Sequence, residues 1–530
     1  MFFSGDTIRH VESTVTRGAL IVAIFSVLSR LAGVLRDRLL ASTFGAGTTL
    51  DAYYAAFKIP DFIFNTFVLG AMAAALIPIF VHYRERQGLA SSYELSNKVL
   101  NLLIVILVVG ASLAALWAPG LVKLIVPGFD LSALALTVKL TRIMLVAVVI
   151  FGASNVVGSV LQAQQRLIAF ALAPVLYNVG IIAGIYFFVP WLGAVGLGWG
   201  VVLGSLFHWA AQTAAAWKIG WRWQIIFSWQ DAGLRQVLKL LIPRTLGLIA
   251  SQINQVVTVA FVSTLTVGSL AAFSLALNLH SFPINVFGVS LAVAVFPLLS
   301  QAVSASNHDY LVHYFSRNVR RILFYVLPLS VLFLVLRAQL VRVILGSGAF
   351  DWGDTIQTAR VLGFLSLAIA ADSVLPLVAR TFYALKDTKT PVAAALVSIA
   401  INVLLLITLR SFGLAGVGIA YVCSSIVNLT LLVAILGNRL GNLGSSWIIA
   451  GVWRMMIGSL AAAAAAYGTL YLVAPHVNMN TFVGVFTQGF SAGLVGVVSY
   501  VVVSVALNLP EVQFARRWLW GALKLLTLRM

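Results

Sequence analysis

The chain has 530 residues, of which 61% are hydrophobic and only 9% charged, with a mean hydropathy of +1.02 and a formal net charge of +19. It is too apolar and too poor in charge for a soluble globular protein. The composition describes a polytopic membrane protein, and because no basic stretch is interleaved with aromatics in a soluble segment, it argues against nucleic-acid binding.

A helix needs roughly 20 mostly apolar residues to cross a hydrocarbon core of about 30 Å. Runs of that kind predict about fourteen helices, at 18–41, 50–82, 97–118, 131–164, 168–190, 193–217, 237–265, 268–302, 316–338, 355–385, 389–410, 413–437, 448–473 and 481–508. They lack the period-two alternation of barrel strands, so the expected fold is all-α. A polar stretch precedes the first run, which is long for a signal peptide, so a retained helix is expected.

The first run is unusual for its charge. Counting ~1.5 Å per residue from Arg17, Arg30 lies about 20 Å in and Arg36 about 28 Å in. A cation at such a depth costs on the order of 2.5–3.5 kcal/mol and needs a wet cavity or a partner. Gly33 between them suggests a bend or break. The second run brings Asp51, Lys58, Pro60 and Asp61 from the other side, and Pro60 should kink it and free a carbonyl. Two readings compete here. In one, Arg36 pairs with Asp51 or Asp37 in a structural network; in the other, Arg30, Arg36 and Lys58 hold an anion, because a guanidinium fork matches a phosphate bidentately.

Further along, loops alternate in charge. Arg84 and Arg86, Arg166, Lys218 with Arg222 and Arg235, Arg317 with Arg320 and Arg321, Lys386 with Lys389, and the tail with Arg516, Arg517 and Lys524 fall on one side. FGAGTT, PWLG, TLTVG and APHVNMN fall on the other, with Lys123, Arg342 and Arg410 as exceptions. The bias predicts that both termini are cytoplasmic. The single Cys423 permits no intramolecular disulfide.

Internal similarity comes next. GAVGLG at Gly193 and GLAGVG at Gly413 share G-x-x-G-x-G, and LGAMAAALIPIF echoes FGVSLAVAVFPLLS. Two six-helix lobes (1–217 and 237–437), an interfacial linker (218–236) and a final segment (438–530) with two helices and a basic tail are expected, with repeats disposed around a central cavity as in many transporters. The linker's tryptophans and cations suit a surface helix or linker at the cytoplasmic interface.

In the second half Asp372 lies well inside a run, where it reads equally as a site for a coupling cation, a proton acceptor or a satisfied structural acid. Arg244 is placed to snorkel, and Ser251, Gln252, Asn254 and Gln255 to bond between helices. The run SLAAAAAAYG at 459–468 suggests close helix packing. No phosphate loop, H-E-x-x-H or Cys/His cluster with metal spacing is found, so neither catalysis nor a resident metal or other cofactor is expected.

Several stretches together resemble one family. SRLAGVLRD and its continuation to Asn65, VPGFD (126–130), LAPVLYNVGIIAG (172–184), GAVGLGWGVVLGSLFH (193–208), IPRTLGLIASQINQ (242–255) and ARTFYALKDTKTPV (379–392) look like the MurJ (MviN) family. That family belongs to an exporter superfamily with multidrug antiporters and polysaccharide-lipid flippases. The resemblance implies a fourteen-helix flippase of the bacterial inner membrane that moves lipid II, the undecaprenyl-diphosphate-linked peptidoglycan precursor, by alternating access. It implies a cationic cavity in which Arg30 and Arg36 bind the cargo, with Asp37, Asp51 and Lys58 from the adjoining motif, and a groove on the last two helices for the polyprenyl tail.

The chain departs from the family pattern where an arginine pair and an acid are replaced by Phe64, Asn65 and Leu69, and where an arginine is replaced by Asn278. A less cationic cavity is therefore expected. Asn402 is a position for a coupling ion, sodium or proton, although the carboxylates of family sodium sites are not found beside it. The expected partners are lipid II, membrane lipids and cell-wall synthesis enzymes. The competing readings are a flippase for another polyprenyl-diphosphate glycan, a cation-coupled drug exporter of the same superfamily, and a non-transporting scaffold for cell-wall enzymes.

Overall fold

The computed structural model describes residues 5–69, 72–228 and 230–513. Within these, the side chains of Arg17, Leu69, Arg244 and Ser251 lie outside the described residues, as does the basic tail with Arg516, Arg517 and Lys524. By packing, the chain divides into one unit of residues 1–271 with 348–350 and a second of 272–347 with 351–530.

The first unit contains α1 (Gly5–Phe44), α2 (Thr48–Ala56), α3 (Lys58–Phe64), a π-helical turn (Asn65–Leu69), α4 (Met72–Gln87), α5 (Leu89–Leu116), α6 (Ala118–Ile125), α7 (Leu131–Ala163), α8 (Leu167–Phe187), α9 (Val189–Leu192), α10 (Gly196–Lys218) and α11 (Ala232–Val262). α12 (Ser269–Pro283) starts at its end. The second holds a π-helical turn (Ile284–Val289), α13 (Ser290–Ser304), α14 (His308–Val335), α15 (Arg337–Leu345), α16 (Trp352–Ser366), α17 (Ile369–Ala384), α18 (Lys389–Thr408), α19 (Gly413–Leu440), α20 (Ser445–Val473) and α21 (Phe482–Ala506).

Helix occupies all fourteen expected places. Among the described residues ten helices are long and apolar enough to span a membrane, or eleven if α16 and α17, bent by 47° at their junction, form one span. Helix starts outside the apolar runs are capped by side chains: Asp130, Asp231, Asn307, Asp351 and Thr481 each accept an N–H three residues on.

The irregularities repeat. The π-turns at 65–69 and 284–289, the short helices α6 and α15, and the left-handed residues Gly88 and Ser306, Gln165 and Lys386, and Gly193 and Gly413 all recur at offsets of 218 to 221 residues. The sequence echoes are therefore structural: each unit is punctuated at matching points.

Small residues set the closest helix contacts. A Cβ on Gly184 would lie 2.2 Å from Gly200 Cα, and one on Gly180 2.3 Å from Gly204 Cα, so α8 and α10 touch backbone to backbone. The alanine run acts likewise: Ala462 and Ala466 are fully buried, and a Cβ on Gly496 of α21 would meet both within 3.3 Å. The linker is a strap without regular structure over 221–228. Asn97 and Asn101 of α5 donate to the carbonyls of Arg222, Gln224 and Ile226, while the Trp221 indole donates to Ser96 Oγ.

Candidate functional site

α1 runs unbroken through Gly33, which corrects the expected break; its i→i−4 bonds need no side chain, and the glycine instead admits Asn178 of α8, whose Oδ1 lies 3.8 Å from where a Cβ would be. Arg36 settles on Asp37, with Nε and Nη2 donating to Oδ1 at 3.0 and 2.8 Å, while Nη1 donates to Asn178 Oδ1 at 3.0 Å. Asn178 in turn donates to the Ser29 carbonyl at 3.3 Å, locking α8 onto α1.

Asp51 is not the partner of Arg36. It is buried, and its two oxygens accept the Gly268 and Ala271 amides at 2.7 Å each, covering the N-terminal turn of α12.

Arg30 differs from Arg36. Among the described residues no side chain pairs with its half-buried guanidinium. Lys58, also half-buried, forms no ion pair there either, although Asp61 sits one turn on in the same helix. Arg30 is thus without an ion-pair partner among the described residues, whereas Lys58 keeps a longer-range electrostatic interaction with Asp61.

Pro60 acts as expected but through a neighbour. Lacking an N–H, it cannot bond the Ala56 carbonyl; the Thr141 hydroxyl of α7 reaches that oxygen at 3.4 Å, and the helix breaks at Phe57. The break opens a cavity of about 210 Å³ lined by Pro60, Asp61, Phe64, Asn65, Phe151 and Tyr177 among others. Phe64 packs on Phe151 at 5.6 Å between ring centroids, which makes this wall aromatic. Asn278 is exposed on α12.

Residues not singled out from the sequence complete the cluster. Tyr53 and Tyr54 bury hydroxyls that have no hydrogen-bond partner, and Tyr177 faces both Arg36 and Asp61. Their only sequence signal was adjacency to the charged stretch. In the second unit Asp372 accepts from His280 Nε2 at 3.0 Å and from the Tyr421 hydroxyl at 3.1 Å. Asn402 is buried on α18 and is not bonded to Asp372. Gln252 is buried on α11. Among the described residues no three His, Cys, Asp or Glu side chains converge as a metal site.

Outside the spans, Asp231 caps α11 and pairs with Lys98 at 2.8 Å. Partial burial pushes its carboxyl up, but the bonds from Lys98 and the Leu234 amide outweigh that and hold it below the usual carboxylate range.

Long apolar helices and irregularities that repeat between two units define a polytopic helical membrane protein with an internal repeat. The fold matches a solved lipid II flippase MurJ in an inward closed conformation, with a TM-score of 0.76, 23% identity, and 92% of this chain and 98% of that one covered. It also matches an inward-facing multidrug MATE transporter of the MOP superfamily, at TM-score 0.65 and 17% identity over 79% and 96% of the two chains. Residues 40–491 match the model of the lipid II flippase MurJ family, and the chain belongs to that family. Relatives include the probable lipid II flippase MurJ of Buchnera aphidicola subsp. Acyrthosiphon pisum, 28% identical over 78% of this chain and 81% of that protein. The lipid II flippase MurJ of Burkholderia cenocepacia is 28% identical over 75% and 77%.

Proposed function

We propose that this chain moves lipid II across the bacterial cytoplasmic membrane by alternating access, with both termini in the cytoplasm and without chemistry on the cargo. The observation that carries the reading is Arg30, a half-buried guanidinium in an apolar stretch of α1 with no side-chain partner among the described residues. A diphosphate supplies the oxygens such a group lacks, and lipid II presents one between a glycan and a polyprenyl chain. Lys58, which forms no ion pair among the described residues, adds a second cation, and Arg36 keeps N–H donors beyond those spent on Asp37 and Asn178. Phe64 replaces one cationic wall by an aromatic one suited to sugar faces or an isoprenoid.

For the tail, an apolar groove of about 180 Å³ on the second unit, lined by Leu340, Ile344, Phe486 and Phe490 among others, offers a surface of matching chemistry. Asp372 favours an ion-coupled cycle, with sodium or proton as the coupling ion.

The test is complementation of a conditional lipid II flippase mutant by wild type and by Arg30→Ala, with membrane abundance measured in parallel. Rescue by wild type but not by an equally abundant Arg30→Ala is expected. Failure of a well-expressed wild type would assign the fold to another cargo, and rescue by both would reduce Arg30 to a structural residue.

A further inference from the structure

His280 of α12, Asp372 of α17 and Tyr421 of α19 bring three ionisable side chains from three helices to one point inside the second unit. Both donors converge on a single oxygen, Oδ2 of Asp372. His280 is 1% exposed, its ring stands edge to face with Tyr421 at 5.6 Å, and its other nitrogen, Nδ1, is buried with no hydrogen-bond partner among the described residues. Asp372, with 13% of its side chain exposed, and Tyr421 are the members that reach the surface.

Helix geometry places the carboxylate there. α16 ends at Ser366 and α17 starts at Ile369 after the 47° bend, so Asp372 sits in the first turn of a helix, where free amides favour an anion. The preceding π-turn presses Gly288 onto α17: a Cβ there would lie 2.5 Å from the Ser373 carbonyl. The backbone beside Asp372 is fixed.

Among the described residues no other charged side chain bonds to the cluster. α13 and the π-turn carry no ionisable side chain. On α14, Arg320 is paired with Glu511, Arg321 bonds Asn318, and Tyr325 stacks on Phe287. On α19, Arg439 pairs with Asp387. Lys389 on α18, Asp354 and Arg360 on α16, and Arg380 and Tyr383 further along α17 make no bond to Asp372.

With a neutral imidazole the cluster carries one net negative charge, and with one proton added it is an imidazolium–carboxylate pair with none. A lone charge in a low-dielectric interior is driven to neutralise. Sodium fits less well, because a hard cation seeks several oxygens and here two donors already face the one carboxylate oxygen.

We infer that His280, Asp372 and Tyr421 form a one-proton site that couples transport to the proton gradient. The proton enters at Asp372 and is held across the Asp372–His280 pair, and it leaves by the same carboxylate. The coupling half of the inference rests on the transport reading, whereas the proton site does not.

The experiment has two arms. Full-length protein in detergent and weak buffer is titrated between about pH 5 and 8, the range of a histidine switch, with helicity checked for each variant. His280→Gln and Asp372→Asn are each expected to take up about one proton fewer than wild type; equal uptake would overturn the site. Tyr421→Phe keeps the ring but removes a donor to the carboxylate, so uptake should move to higher pH, and an unmoved curve would count against it. In the second arm, proteoliposomes carrying fluorescent lipid II are given a proton gradient. Wild type should accelerate and both His280→Gln and Asp372→Asn should lose the acceleration, whereas acceleration retained in either would overturn the coupling. A wild type that binds the proton but moves no lipid II would count against the flippase reading and leave the proton site standing.

Discussion

Asp51 and Gly268 lie 217 residues apart in sequence and meet through a 2.7 Å hydrogen bond from the glycine amide to Oδ2. With Ala271 on the other oxygen, one buried carboxylate answers two of the amides that a helix start leaves free. Asp51→Ala is therefore expected to cost about 1–2 kcal/mol of stability, the usual range for a lost cap. Asp51→Asn keeps one acceptor oxygen and should cost less. Thermal melting of detergent-solubilised protein orders the three, and an alanine variant melting with wild type would refute the capping role.

Arg30 and Arg36 should fail in different ways. Removing Arg36 leaves Asp37, 6% exposed, without its ion-pair partner, so Arg36→Ala should lose about 1–3 kcal/mol and membrane abundance. Arg36→Ala with Asp37→Ala removes both charges and should recover much of the abundance while transport stays lost. Arg30→Ala breaks no ion pair among the described residues and should lose transport alone. Quantitative blotting beside complementation separates these cases, and an abundant, active Arg36→Ala would dismiss the pair.

The helices were legible because a span is a one-dimensional pattern, about twenty apolar residues between polar ends. The breaks were legible only where a residue type announces them. Pro60 did so, and Thr141, the neighbour that satisfies the freed carbonyl, did not, because it sits 85 residues away. The π-turns carry no signature, yet the Pro78 and Pro297 echoes lie just beyond them at matching places. At the site, sequence proximity offered Arg36 both Asp37 and Asp51; the choice depended on the amides of residues 268 and 271, which compete for Asp51 and cannot be seen locally. Asp372 stood out as an acid in an apolar run, but its partner His280 is 92 residues distant and looked like one of seven dispersed histidines.

Two glycines should respond differently to the same added methyl group. Gly33→Ala meets only a side-chain oxygen at 3.8 Å, so a stability change within about 0.5 kcal/mol is expected. Gly184→Ala places its Cβ 2.2 Å from the Gly200 Cα, a backbone atom that cannot rotate away, and α8 must separate from α10. Overpacking of this kind costs about 1–3 kcal/mol. Melting temperatures of the two variants decide it, and a tolerated Gly184→Ala would mean that the helices are held further apart than described.

Asp387, in the loop between α17 and α18, gives a prediction in pH. The Thr390 hydroxyl and amide donate to it at 2.6 and 3.0 Å and Arg439 pairs with it at 2.5 Å, which together hold its carboxyl at about 2. A carboxyl depressed in the folded state stabilises fully above its unfolded value, near 3.9, and loses that contribution as pH falls towards the folded one. Wild type should therefore melt above Asp387→Asn at neutral pH, and the gap should narrow only as acid takes the protein below about pH 4. Salt should shrink the neutral-pH gap too, because Arg439 is largely exposed and its pairing is screened. A gap that is constant from neutral to acid pH would show that the turn is held by Thr390 and packing, with the ionised carboxylate contributing nothing.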